Sequence, residues 1–220
     1  PYVSETKTKA LVGSYLTANE ALYVRNHAPV PQVDEAESHP VTFYAGEQEV
    51  LSLSLSEMRQ RFPRVRVTSV LQCSGNRGAD NIAANGVEQS GFVGGPFEHI
   101  GVGLVGNALW GGVRLSQVLQ ELYPEQVRLV KAGKGDKLHV TFEGLDGYLS
   151  STPLEHILEP ANDCLLAMDM NDAPLPPDHG FPLRAMMPGI TGARQVKWVS
   201  RISVGPECDA AWNANYYRAK

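Results

Sequence analysis

The chain is poor in cysteine, has no long apolar run and carries no excess of positive charge. Its three cysteines, Cys73, Cys164 and Cys208, lie far apart. None belongs to a CxxC pair, so zinc ribbons and thioredoxin-type redox chemistry find no support, and an odd count reads poorly as a disulfide framework. No apolar stretch approaches the ~18 residues of a membrane helix, so no membrane span is expected. The formal net charge of −5 argues against nucleic acid as the main partner, because phosphate backbones select basic stripes. It leaves a small anion open, since a few arginines in one cleft dominate the local field whatever the total charge. Internal repeats and low-complexity segments are absent. No basic–apolar–small leader opens the chain, which starts at Pro1 instead of methionine and is expected to be a processed or trimmed product. The compartment is left open by this.

What is there is ordinary globular material: 220 residues, 43% hydrophobic and 20% charged, enough for one large domain or two small ones. Residues 41–45 and 49–55 read as strands around a turn at Gly46, with Leu51, Leu53 and Leu55 alternating with serines. Ser56 is the expected N-cap of a short helix ending at Phe62 before Pro63. Residues 64–73 form the clearest strand, with Val65 and Val67 alternating with arginines before Val70, Leu71 and Cys73. Eleven of the 21 glycines fall between Gly75 and Gly112, a density that suits a long loop approaching a ligand or a poorly packed insertion. Helical spacing covers 114–123; 138–142, 164–170 and 195–204 read as strands, 154–158 as a helical turn and 171–177 as turn-rich. Helices and strands interleave without a regular β–α period, which predicts an α+β fold of mixed sheets and short helices.

Four clusters carry chemistry. Gly101-Val-Gly-Leu-Val-Gly106 matches a dinucleotide fingerprint, but the strand before it and the helix after it that would hold a pyrophosphate are missing, so it is set aside. Cys73 opens Cys73-Ser74-Gly75-Asn76-Arg77. It reads either as a buried small hydrophobe or as a sulfur presented at a strand end by a sharp turn, with Arg77 favouring the thiolate that binds a soft transition metal. Arg25-Asn26-His27 before Ala28-Pro29-Val30-Pro31 is a solvated turn or part of a site. Asp178-His179-Gly180-Phe181-Pro182-Leu183-Arg184, continuing to Gly192-Ala193-Arg194-Gln195-Val196-Lys197-Trp198, is a charged loop or an anion cradle built from arginine forks and a lysine point charge.

Taken in order, Arg-Asn-His with Pro-Val-Pro, Leu-Gln-Cys-Ser-Gly-Asn-Arg, Trp-Gly-Gly-Val-Arg-Leu, Phe-Glu-Gly-Leu-Asp, Asp-His-Gly-Phe-Pro-Leu-Arg and Gly-Ala-Arg-Gln-Val-Lys-Trp resemble the molybdopterin domain of the sulfite oxidase family. That family also includes assimilatory nitrate reductases. The resemblance runs from Arg25 to Tyr217. It implies a molybdenum-molybdopterin cofactor and oxygen-atom transfer that oxidises sulfite to sulfate. Cys73 matches the molybdenum ligand. Tyr23, Val24, Arg25, Asn26 and His27 match the segment wrapping the cofactor, with Arg25 also facing the substrate anion. Trp110 matches a pocket-lining tryptophan and Tyr148 the active-site tyrosine. Asp146, His179, Arg184, Gln195, Val196 and Lys197 match positions that hold the pterin and its phosphate.

The resemblance further implies a catalytic domain over 1–205, with 206–220 starting a linker to an absent C-terminal dimerisation domain, and hence a homodimer in the full-length protein. An electron acceptor such as a cytochrome or oxygen is implied, in the mitochondrial intermembrane space, peroxisome or periplasm. Two features depart from the pattern. Gly78 stands where relatives carry a second arginine after Gly-Asn, and the stretch 79–105 is longer than expected. Phe181, Ala193 and the Tyr148-Leu149 pair lean toward sulfite over nitrate. A nitrate reductase domain, or a cofactor-carrying subunit without turnover, are the alternatives.

Overall fold

The computed structural model describes residues 2–86 and 98–208. The first half runs β1 (Tyr2–Ser4), α1 (Thr8–Gly13), β2 (Val24–Asn26), β3 (Pro40–Ala45), β4 (Gln48–Ser54), α2 (Leu55–Arg61), β5 (Arg64–Gln72) and α3 (Gly78–Asn85). The second runs β6 (Val105–Arg114), α4 (Leu115–Leu122), α5 (Pro124–Lys131), β7 (His139–Gly144), β8 (Leu149–Pro153), α6 (Leu154–Leu158), β9 (Leu165–Met170), β10 (Ala173–Pro174), β11 (Arg184–Met186) and β12 (Val199–Gly205). The fold is α+β with mixed sheets and short helices, as expected. No described helix is long and apolar enough to cross a membrane.

Two five-stranded sheets dominate. One has the order β10-β9-β6-β5, with β11 also on β9; the other is β4-β3-β12-β7-β8, in which β12 runs parallel to β3 and the other pairs are antiparallel. A ribbon of β1 and β2 stands apart, pairing Val3 with Arg25. β9 explains how the first sheet sits. Leu166 and Met168 enter a core shared with Phe43, Phe142 and Leu119, while Leu165, Ala167 and Met170 enter a second core with Leu71 and Trp110. A strand covered on both faces reads as a continuous apolar run instead of an alternation. The alternation of β5 has the opposite origin: Arg64 and Arg66 face water, each 2.8 Å from a carboxylate, Asp169 and Asp172.

Several local expectations need correction. The α2 cap is Ser54, not Ser56. Its hydroxyl accepts from the Glu57 N–H while the Glu57 carboxylate accepts from the Ser54 N–H at 2.8 Å, a reciprocal capping box. The glycine-dense stretch is no single loop, because it contains α3 and the ten-residue strand β6. Those glycines let strands approach: a Cβ on Gly112 would lie 2.8 Å from Ala167 Cα, where the β6–β9 register slips. The fingerprint beginning at Gly101 runs into β6, and no helix follows until Leu115, which removes the dinucleotide reading. The last strand begins at Val199, so residues 195–198 are free to line a site. Of the insertion expected over 79–105, residues 87–97 lie outside the described residues, as do 209–220 of the linker expected over 206–220.

Candidate active site

β5 delivers Cys73. The chain turns at once: Asn76 N–H donates to the Cys73 carbonyl at 3.1 Å, Gly75 N–H reaches Cys73 Sγ at 3.4 Å, and the Asn76 side chain accepts from Leu104 N–H at 3.0 Å. The sulfur is thereby held at the strand end, 7% exposed, on the boundary between the second core and a cleft. Burial pushes its pKa up; the Gly75 N–H, the Arg25 charge and the Ser74 hydroxyl pull the other way. Arg77, the cation that the sequence places beside the sulfur, does not supply that charge. Its backbone is left-handed (φ 62°) and its Nε donates to Asp80 at 2.8 Å, out in solvent. The cation acting on Cys73 is Arg25.

The cleft, with the open solvent at its mouth counted in, spans about 610 Å³. Three further segments meet Cys73 there. Tyr23, Arg25 and His27 come from β2 and its flanks, Asp146 and Tyr148 from the β7–β8 turn, and Asp178 through Lys197 from the loops around β11. Of the expected residues, Tyr23, Arg25, His27, Cys73, Asp146, Tyr148, His179, Arg184, Gln195, Val196 and Lys197 line it. Val24, Asn26 and Trp110 do not. Val24 pairs with Ser4 in the ribbon. Asn26 lies behind the wall, its Nδ2 donating to Asp178 Oδ1 at 2.8 Å. Trp110 is fully buried: its indole N–H donates to Ser69 O at 3.2 Å and its ring supports the Arg184 guanidinium at 5.5 Å. It backs a cation instead of lining the pocket, because β6 is a central strand.

Asp178 and Trp198 also line the cleft; both belong to the candidate anion cradle of the sequence, but the resemblance assigns neither a role. Asp178 is visible in the sequence as the neighbour of His179. Trp198 closes the motif quoted from the sequence, but the left-handed backbone (φ 54°) that carries it to the wall is not disclosed by sequence patterning. Tyr148 stacks on His27, ring centroids 4.7 Å apart, and its hydroxyl donates to Ala193 O at 2.8 Å. The Gln195 amide is spent on the loop before it, donating to Ile190 O and accepting from Met187 N–H.

The field in the cleft is cationic. Arg184 is 5% exposed; Nη1 donates to His179 O at 3.1 Å, Nε has no hydrogen-bond partner, and no carboxylate pairs with it among the described residues. Burial lowers its pKa to about 10. Burial, with Arg184 close by, lowers Lys197 to about 7. His27 and His179 are pushed down to about 4 by burial and then by Arg25 and Arg184 respectively, so both are neutral near pH 7. His179 Nε2 lies 3.1 Å from Asn19 O, which requires the proton on Nε2.

The model of the oxidoreductase molybdopterin binding domain matches residues 27–212. This chain belongs to that family. Sulfite oxidase from Gallus gallus is 39% identical over 226 residues, covering 99% of this chain and 46% of the relative; the mitochondrial sulfite oxidase of Drosophila melanogaster is 36% identical over 227 residues, covering 99% and 36%. The chain thus spans less than half the length of either. Among solved structures, the sulfane dehydrogenase SoxCD of Paracoccus pantotrophus superposes with a TM-score of 0.69 at 23% identity, over 91% of this chain and 46% of that one, a likeness of fold. The cofactor of a molybdopterin-binding oxidoreductase domain is the molybdenum-molybdopterin expected from the sequence. The donor set fits it. A buried guanidinium with an orphaned Nε calls for an anion, which a pterin phosphate provides, and a thiol at the cleft edge is a soft ligand of the kind molybdenum takes.

Proposed function

We propose that residues 1–205 form the catalytic domain of a molybdenum-dependent oxidoreductase that converts sulfite to sulfate, with 206–220 beginning a linker to a dimerisation domain. The observation that carries this reading is the convergence of Cys73, Arg25 and the uncompensated Arg184 on one cleft. The overall change is sulfite plus water giving sulfate, two protons and two electrons, the electrons passing to an acceptor such as a cytochrome or oxygen. When bound, the molybdenum-pterin group supplies the two-electron oxygen-atom transfer chemistry.

The chain's own residues bind, orient and exclude water. Cys73 Sγ is the proposed metal ligand, its proton displaced on binding because thiolates, not thiols, ligate. Arg184, His179, Tyr23 and Asp146 are the proposed walls for the pterin and its phosphate. Neutral His179, with its proton on Nε2, keeps Nδ1 as an acceptor. Arg25 is the proposed anion clamp: a guanidinium offers two parallel N–H bonds to an oxyanion. Tyr148 is the proposed partner of a substrate oxygen, for which its O–H must leave Ala193 O. The preorganised charge of Arg25 and Arg184 is the chief contribution of the protein, since fixed cations in a water-poor site need no reorganisation as charge shifts on the substrate.

The deciding experiment is elemental analysis for molybdenum combined with sulfite-dependent reduction of an acceptor, with nitrate as the competing substrate. Near-stoichiometric molybdenum and sulfite turnover are expected. Molybdenum with nitrate turnover moves the protein to the nitrate branch, for which Gly78 in place of a second arginine leaves room. Cys73→Ser is expected to stay folded and lose both metal and turnover; near-normal activity in that variant ends the metal-ligand assignment.

A further inference from the structure

The glycine run that begins at Gly101 is no dinucleotide site, and its first two glycines meet a carboxylate instead. Glu5 Oε1 accepts from Gly103 N–H at 2.8 Å, and Oε2 from Gly101 N–H at 3.3 Å. Next to it, Thr6 N–H donates to Gly103 O at 2.8 Å and the Thr6 hydroxyl to Val105 O at 3.3 Å. Only glycine fits at 103, where a Cβ would lie 2.5 Å from Thr6 O and 2.7 Å from Glu5 Cβ. Glu5 is itself anchored, because the residues just before it form β1, which pairs with β2. On its other side the same loop holds the turn that carries the sulfur. Cys73 N–H donates to Leu104 O at 3.0 Å, Arg77 N–H to Gly101 O at 2.7 Å and Ala79 N–H to Ile100 O at 3.0 Å, while Leu104 N–H donates to the Asn76 side chain. Residues 100–104 therefore stand between the Glu5 carboxylate and the Cys73 turn.

We propose that Glu5 is a positioning residue: its carboxylate clasps the 101–103 loop, and through that loop it fixes the turn that presents the Cys73 sulfur to the cleft. The inference rests on the reading of Cys73 as the metal ligand and extends it to the bonds behind that ligand. A carboxylate suits the task because it only accepts, and each of its two oxygens takes one of the two loop amides in a charge-assisted bond. Glutamine has the same shape but a single acceptor oxygen, so its NH2 would face one of those N–H groups and leave it without a partner. Four hydrogen bonds tie residues 73–79 to 100–104, so slack in the loop passes directly to the sulfur. Groups that support a metal ligand from behind commonly change metal affinity or activity about tenfold or more when removed.

The test is Glu5→Gln in the full-length protein, with Glu5→Asp as a milder variant and Ser54→Ala, at the α2 cap, as a control that destabilises another part of the fold. Glu5→Gln is expected to lower the molybdenum bound at limiting cofactor about tenfold, with KM for sulfite in the loaded fraction within about twofold. In the cofactor-free protein the Cys73, Arg77 and Ala79 amides, which donate to the loop, should exchange about tenfold faster, while those of α2 keep the wild-type rate. Glu5→Asp keeps the charge but is one methylene short; it should show both changes at smaller size, and it serves if Glu5→Gln fails to fold. Ser54→Ala should quicken exchange in α2 and leave molybdenum binding at the wild-type level. Equal loss of molybdenum in Ser54→Ala and Glu5→Gln would mean a general loss of stability and would overturn the proposal. Faster exchange over 73–79 with wild-type molybdenum content would do the same, since the clasp would then not bear on the ligand. If the wild-type protein holds no molybdenum, the reading of Cys73 falls and this one with it. If it does and Glu5→Gln matches it in both measurements, only the Glu5 assignment falls.

Discussion

Arg184 is the residue under most tension in the cleft. Burying a guanidinium without a carboxylate costs several kcal/mol that neither the His179 carbonyl nor the Trp110 ring fully returns. Arg184→Met should therefore raise the stability of the cofactor-free protein by about 1–2 kcal/mol, read by urea unfolding, while molybdenum content after loading falls sharply. Lower stability in the cofactor-free variant would mean that the guanidinium is held by the protein alone. Trp110→Phe probes the same guanidinium from behind. It keeps a ring under Arg184 but removes the N–H to Ser69 O, so a loss of about 1 kcal/mol is expected with little change in KM. A tryptophan that lined the substrate pocket would shift KM instead.

At the scale of elements, strand and helix positions follow from two kinds of pattern, and their exceptions have physical causes. β5 and α4 are legible because one face of each meets water, which leaves a period-2 or helical stripe in the sequence. β6 is not. It is covered by a sheet neighbour on each side, and its glycines answer to backbone approach instead of to a loop. Gly112→Ala drives a methyl into the main chain at Leu166 and Ala167, so a loss of about 3 kcal/mol or more is expected in urea unfolding, against about 1 kcal/mol for Ser54→Ala at the α2 cap. Equal effects from the two would mean that the β6–β9 slip relaxes freely. The short strands β8, β10 and β11 leave no pattern, because two to five residues hold too few periods to be read.

For the whole molecule, buried His179 and half-buried His27 set an acid limit. His179 and His27 have folded pKa values of about 4, below their ordinary 6.5, so the folded state resists protonation while the unfolded chain accepts it. Stability that is complete above pH 6.5 is therefore lost as the pH falls from 6.5 toward 4, with His179 alone contributing on the order of 3 kcal/mol. Urea midpoints at pH 7 and pH 5 should differ in that direction, and His179→Gln should shrink the difference; a flat profile would mean the rings are solvated. A bound cofactor phosphate would oppose the effect, so the cofactor-free protein should be the more acid-sensitive form.

The chemical inventory is set by the sequence alone. Cys73 at a strand end, the Arg25–His27 segment and the Asp178–Arg184 run are short motifs whose residue types declare their chemistry, and their order along the chain points to the fold class and cofactor. Direction is decided only in three dimensions. Which cation faces Cys73 and that Trp110 stands behind Arg184 both depend on segments far apart in the chain meeting across two sheets. A side chain's identity is local, whereas its partners are set by packing, and no spacing along one chain encodes which of two faces a long-range contact will occupy.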